Sequence, residues 1–203
     1  MFTKLLTTID GLQTLVVSDD RKNTLQPLID FIQSKIDNNQ QVNINFICTH
    51  NSRRSHLSQI WSQALASYFN LPNVYCYSGG TETTAMFPMI AKVLEQSGFQ
   101  TQKLSNENNP IYAIKYAENI HPIIGFSKRM DSVFNPTSGF AAVMTCSQAD
   151  AGCPFVPGAE KRIPITFEDP KVFDGTPEQE AKYKERSLQI AAEMYHVFSS
   201  IKQ

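Results

Sequence analysis

The sequence predicts an α/β fold, a three-layer sandwich whose central four-stranded parallel sheet is covered by helices on both faces. Three observations carry that expectation. Residues 42–47, 73–77, 141–145 and 163–166 are short apolar runs that read as buried strands. Segments with helical spacing of apolar residues lie between and after them, the alternation that builds crossover connections. The first three runs lead into Cys48, Ser78 and Cys146, so reactive side chains gather at the strand C-termini, where open α/β sheets place their functional loops.

The elements follow in order. Residues 4–15 predict a short helix, and 25–36 carry Leu25, Leu28, Ile29, Ile32 and Ile36 at helical spacing. Together they make residues 1–40 a helical N-terminal extension. Residues 55–69 predict a helix with Leu57, Ile60, Trp61, Leu65 and Phe69 on one face. The run at 73–77 ends at Ser78-Gly79-Gly80, and a helix over 88–97 is stopped by Gly98. The pattern then changes. Residues 111–116 alternate and 123–127 are apolar, so residues 107–138 read as an insertion. A pair of strands is expected there, a hairpin at the sheet edge or over the active loops. Residues 176–202 predict a long terminal helix, with Pro177 at its first position. A chain of 203 residues in this order reads as a single domain.

Composition narrows the function classes. Eighteen Lys and Arg stand against nineteen Asp and Glu, so bulk charge offers nothing to nucleic acid or an acidic membrane. No apolar stretch approaches the roughly 20 residues of a membrane span. The N-terminal segment is broken by Asp10 and Gln13 and lacks a small-residue cleavage site, so it does not read as a signal peptide. Four cysteines in a chain this long do not make a secreted disulfide framework. A cytoplasmic enzyme with catalytic or redox-active cysteines is expected, with no metal and no resident cofactor.

One octapeptide proposes the chemistry: Cys48-Thr49-His50-Asn51-Ser52-Arg53-Arg54-Ser55, between the first strand and the helix after it. A loop entering a helix N-terminus aims unpaired backbone N–H groups at one point and favours negative charge there. The same field favours a thiolate, so Cys48 is expected to be a nucleophile with a depressed pKa. Arg54 can grip two oxygens of a tetrahedral oxyanion with its planar fork. Ser55 can donate to the sulfur, and Asn51 can brace the loop and tolerate a left-handed backbone. The loop residues Thr49, His50, Asn51, Ser52 and Arg53, with Ser55, are the expected oxyanion-binding set. A small oxyanion, arsenate or a phosphate ester, is the expected substrate.

Two further segments carry chemistry. Cys146 and Cys153 are seven positions apart, separated by small and flexible residues that can fold as a helical turn and loop out until the sulfurs meet. Spacing alone leaves open a redox pair, two unconnected cysteines or part of a metal site, though no obvious further ligands exist for a metal. Asp169 precedes Pro170 on the loop after the fourth strand, and the apolar Phe167 nearby could raise its pKa toward that of a useful acid. Cys76 and Trp61 read as core, and His56, His121 and His196 show no convincing constellation.

The Cys48–Ser55 motif after a strand resembles the low-molecular-weight protein tyrosine phosphatase superfamily, in particular its thioredoxin-coupled arsenate reductase branch. The resemblance covers residues 42–105 and resumes at about residue 140, leaving 1–40 and the insertion outside it. It implies a flavodoxin-like sheet, Cys48 as nucleophile, Arg54 as anion ligand and Asp169 as the acid that protonates the leaving oxygen. It also implies that Cys146 and Cys153 are the redox pair, with thioredoxin as external reductant. Departures are visible. Lys171 and Val172 stand where the tyrosine phosphatases carry aromatics after Asp-Pro. His50 replaces a small residue, and Arg53 stands where a cysteine is common. Gln59 replaces a cation-binding acidic residue, which argues against a potassium site. Three functions follow: arsenate reduction, phosphomonoester or phosphotyrosine hydrolysis through a phosphocysteine, and a non-enzymatic oxyanion-binding or redox-sensing module.

Overall fold

The computed structural model describes residues 1–202. Helices α1 (Thr3–Leu12) and α2 (Asp19–Asp37) precede strand β1 (Val42–Cys48). There follow α3 (Arg54–Tyr68), β2 (Val74–Gly80), α4 (Pro88–Ser97), β3 (Gln100–Lys103), β4 (Tyr112–Lys115) and β5 (Ile123–Gly125). The chain closes with β6 (Phe140–Met144), α5 (Ser147–Gly152), β7 (Ala159–Pro164), a 3-10 turn (Pro170–Phe173) and α6 (Gln179–Ser199). Strands β2, β1, β6 and β7 lie side by side in that order, all parallel. This is the four-stranded parallel sheet the alternation implied.

Side-chain alternation along the strands divides the interior in two. Val42, Ile44 and Phe46 of β1, with Ala141 and Val143 of β6, join the large core that α1, α2, α3, α4 and α6 cover. Ile47, Phe140, Ala142 and Met144 point to the other face, under Ala149 of α5, Val156 and Met130. Cys48 and Cys146 belong to this second cluster. The N-terminal helices contribute Leu5, Ile9, Leu25, Leu28 and Ile32 to the large core, so residues 1–37 pack as part of the sandwich. Among the described residues no helix is long and apolar enough to cross a membrane.

Trp61 is the keystone of that core. It is fully buried, donates its indole N–H to Ser187 Oγ at 3.0 Å and meets Phe99 edge-on at 4.9 Å. Trp61→Ala should cost about 3–5 kcal/mol, the range for deleting a large buried aromatic; urea unfolding measures it, and a loss below 1 kcal/mol would contradict this packing.

Several boundaries differ from expectation; helix α6 begins at Gln179, so Pro177 lies in the turn before it and not at its first position. Strand β7 begins at Ala159, four residues before the apolar run, because it is an edge strand whose Glu160 and Lys161 face solvent and whose half-buried Arg162 is held by Asp150 and the Cys153 carbonyl, which hides its periodicity. Helix α2 starts at Asp19 behind Ser18, whose hydroxyl accepts from Arg21 N–H as an N-cap, and it carries Pro27 inside. The insertion contributes two strands, but they join β3 in a separate three-stranded antiparallel sheet, order β3-β4-β5. Strand β3 is Gln-Thr-Gln-Lys, polar throughout, and offered no apolar alternation to read. The insertion meets the edge of the main sheet at Gly80, which forms a β-bridge with Arg129. Gly98, with φ of 103°, caps α4; a Cβ there would run into the backbone of Lys4 and Leu5.

Candidate active site

The loop between β1 and α3 folds around the sulfur of Cys48. Asn51 adopts the left-handed backbone conformation, φ 43°, and its N–H donates to Cys48 Sγ at 3.1 Å. Ser55, in the first turn of α3, lies 3.1 Å from the same sulfur through its Oγ. The Asn51 side-chain amide donates to Ser55 Oγ at 2.9 Å. A serine that accepts from Asn51 has its own O–H free for the sulfur. Cys48 is buried at 4% exposure, so these donors face it without much competition from water.

Strand β2 ends against the loop because Gly79-Gly80 has no side chains. A Cβ on Gly80 would come within 2.7 Å of Thr49 O and 2.8 Å of Asn51 N. Gly80 pairs with Cys48 across the sheet, and the Thr49 carbonyl accepts from Glu82 N–H at 2.8 Å.

Arg54 and Asp169 meet. Arg54 Nη2 lies 2.6 Å from Asp169 Oδ2, and Nη1 donates to the Phe167 carbonyl at 2.7 Å. The other carboxylate oxygen of Asp169 accepts from Lys171 N–H at 3.0 Å, capping the 3-10 turn that Pro170 begins. The arginine and the Asp-Pro loop, 115 positions apart, thus share one wall of a cavity of about 390 Å³. Cys146, Gln148, Arg21 and Arg186 line it too.

The remaining loop residues divide. His50 turns its ring outward, 3.4 Å from Glu82, and its carbonyl accepts from Ser127 Oγ at 2.8 Å. Arg53 turns away from the loop: it pairs with Asp174 at 2.6 Å, donates to Tyr183 Oη at 2.5 Å and stacks 4.3 Å over Phe87. The Arg53 side chain is thus engaged away from the loop, which leaves its backbone N–H as the group that residue 53 can offer an oxyanion. The ion pair with Asp174, at the end of the Asp-Pro turn, ties α3 to the Asp169 loop, and the Tyr183 contact ties it to α6. Burial and the Asp174 hydrogen bond push the Tyr183 phenol up. Ser52 is buried, and its carbonyl accepts from Phe87 N–H at 3.0 Å.

The structure brings the second cysteine to the loop. Cys146 is buried, with Sγ 3.5 Å from Thr49 Oγ1 and accepting from Ala149 N–H at 3.3 Å as the cap of α5. Cys153 follows the last residue of α5 and is half-buried. All four cysteines are free thiols. Cys76 lies in the core, where burial pushes its thiol up. Sequence reasoning missed Ser127 and Lys128, which grip the loop from the insertion, because their signal lies in tertiary contacts alone.

On this sheet and with this loop, the molecule has the fold of the low-molecular-weight phosphotyrosine phosphatases. The Vibrio cholerae O395 enzyme of that description superposes with a TM-score of 0.53 at 12% identity, over 78% of this chain and 94% of that one. A structure described as an arsenate reductase in the phosphate binding state gives 0.50 at 15% identity, over 80% and 100%. In sequence, the chain is 28% identical over 153 residues to a Staphylococcus aureus (strain Newman) protein named arsenate reductase, spanning 75% of this chain and 94% of that protein. No family model matches. The resemblance read from the Cys48 motif is thus met twice, by sequence to arsenate reductases and by fold to the phosphatase superfamily.

Proposed function

We propose that this protein is an arsenate reductase working through three cysteines. The observation that carries the reading is Cys146, whose thiol lies against Thr49, next to the nucleophile, at the head of a short helix that ends at Cys153. A hydrolase would have no need of either.

Cys48 thiolate attacks arsenic(V), and one hydroxyl leaves as water after taking the Asp169 proton. Arg54 and the loop N–H groups hold the remaining oxygens. Cys146, as thiolate, then attacks Cys48 Sγ. The S–As electron pair stays on arsenic, which departs as arsenite, and a Cys48–Cys146 disulfide remains. Cys153 thiolate attacks Cys146 Sγ, restoring the Cys48 thiolate and leaving a Cys146–Cys153 disulfide. A thioredoxin-type dithiol supplies the two electrons that reset the pair. Seven residues of helical rise separate the two cysteines by roughly 10 Å, beyond disulfide reach, so α5 must unwind in the third step. Four free thiols fit a reducing compartment such as the cytoplasm.

Phosphomonoester hydrolysis is the second reading, favoured by the completeness of Cys48, Arg54 and Asp169 without the redox pair. Val172 after Asp169-Pro170 is an exposed aliphatic and Lys171 is exposed, so no ring grips a phenyl group there. The deciding measurement is a free-thiol count before and after arsenate, with mass mapping. Two thiols lost to a Cys146–Cys153 disulfide are expected. No thiol loss beside rapid aryl phosphate hydrolysis would overturn the reductase in favour of the phosphatase.

A further inference from the structure

A lysine at 5% exposure is uncommon, because an ammonium is costly out of water. Lys128 is such a lysine, three residues beyond β5 within the insertion. Its ammonium lies 3.5 Å from Ser78 Oγ and 4.8 Å over the Phe126 ring. Ser78 in turn meets His56 Nδ1 at 3.1 Å, and burial and the Lys128 charge keep that imidazole neutral. Gln59 and Asn135 line the same cavity, about 770 Å³ along the edge of β2, and each keeps a buried side-chain oxygen with no protein donor.

The backbone of the same residue reaches the catalytic loop. Lys128 N–H donates to Asn51 Oδ1 at 2.9 Å, and its carbonyl accepts from Gly80 N–H at 2.8 Å. A carboxamide has one oxygen and one NH2, so whichever group holds its oxygen decides which way it faces. With Oδ1 on Lys128, Asn51 Nδ2 faces Ser55, and the Ser55 proton is left for Cys48 Sγ. Turned over, the amide would set NH2 against N–H and oxygen against the hydroxyl, and the Ser55 proton would leave the sulfur.

We propose that Lys128 is a positioning residue for the catalytic loop: its ammonium, pinned in the cavity, holds its backbone N–H where it fixes the Asn51 amide that serves Ser55 and Cys48. The inference rests on Cys48 being the nucleophile. It gives the insertion a task, as the outside brace of the loop. Ser127 supports it, donating through Oγ to the His50 carbonyl at 2.8 Å while Asn109 holds its backbone from both sides.

The test is Lys128→Met, which keeps the length and the backbone N–H and removes the charge. Turnover should fall by up to about a hundredfold, the scale of a misplaced catalytic group, while the melting temperature holds or rises because a buried charge has gone. Deuterium exchange of the 48–55 segment should rise, and Lys128→Arg should restore part of both. A parallel fall of activity and melting temperature would mean a merely structural lysine and overturn the proposal, as would unchanged turnover and exchange. If the wild type turns over neither arsenate nor aryl phosphate, the proposed function fails, and loop exchange still decides the role of Lys128.

Should Lys128→Met not fold, the wild-type pH profile replaces it. Burial lowers the Lys128 pKa from 10.5 to about 8. The other titratable groups lining the cavity or packed beside it are His56 of α3, Tyr75, Cys76 and Tyr77 of β2, and Tyr116, Glu118 and His121 of the insertion. His56 is already neutral, and the Cys76 and Tyr77 values are raised. The folded chain therefore binds fewer protons than the unfolded one between about pH 8 and 10.5, and the Lys128 contribution to stability rises across that window. Turnover should fall in the same window as stability gains, a divergence opposite to plain alkaline unfolding. Turnover and exchange of the 48–55 segment that stay flat while the Lys128 ammonium is seen by NMR to lose its proton would overturn the proposal.

Discussion

Cys146→Ser is expected to reduce arsenite release by at least about a thousandfold, the scale on which losing a group essential to a step appears. The reason is electronic. Arsenic stays pentavalent on Cys48 until a second thiolate attacks that sulfur and leaves the bonding pair behind. Serine at 146 keeps the cap on α5, since its hydroxyl can accept from Ala149 N–H as Cys146 Sγ does at 3.3 Å, but it cannot form a disulfide. Cys153→Ser should behave differently: one arsenite per chain, then arrest as a Cys48–Cys146 disulfide detectable by mass. The contrast between no product and one product per chain separates the attacking thiol from the resolving one. Aryl phosphate hydrolysis needs no sulfur at 146 and serves as the check that the variants are folded. Sustained, thioredoxin-dependent turnover by Cys146→Ser would sink the three-cysteine scheme.

The Cys48–Ser55 loop was legible because its chemistry is local: a strand, eight residues and a helix fix where the sulfur, the Asn51 amide and the Ser55 hydroxyl can be. Cys146 was legible for a different reason. It follows a buried strand of a parallel sheet, and strand ends in such a sheet share an edge. The side-chain partner of Arg53 was not legible, because Asp174 lies 121 positions away. Lys128 was silent in the sequence: a lysine after an apolar run reads as an exposed turn until the insertion is folded over it. Strands β3 and β7 were hidden or displaced because edge and solvent-facing strands satisfy their backbone without burying side chains, so period-2 hydrophobicity never appears in them.

Asp169→Asn tests the other end of the first step, and the expected loss is about 10²- to 10⁴-fold in kcat, the usual contribution of a positioned general acid. The substitution is nearly isosteric. The Asn oxygen can still accept from Lys171 N–H, as Asp169 Oδ1 does at 3.0 Å, so the Asp-Pro turn should keep its shape. Arg54 keeps the Phe167 carbonyl at 2.7 Å and loses only the charged partner at 2.6 Å. Two consequences follow with opposite signs. Without a carboxylate competing for its guanidinium, Arg54 should bind a tetrahedral oxyanion more readily, so the inhibition constant for inorganic phosphate should fall or hold. Without a proton to give, the departing oxygen leaves as hydroxide and the chemical step slows. Tighter phosphate binding beside a large drop in kcat is therefore the signature of an acid that shares its arginine with the substrate. An Asp169→Asn enzyme with undiminished kcat would remove Asp169 from the reaction and leave its pairing with Arg54 as a purely structural contact.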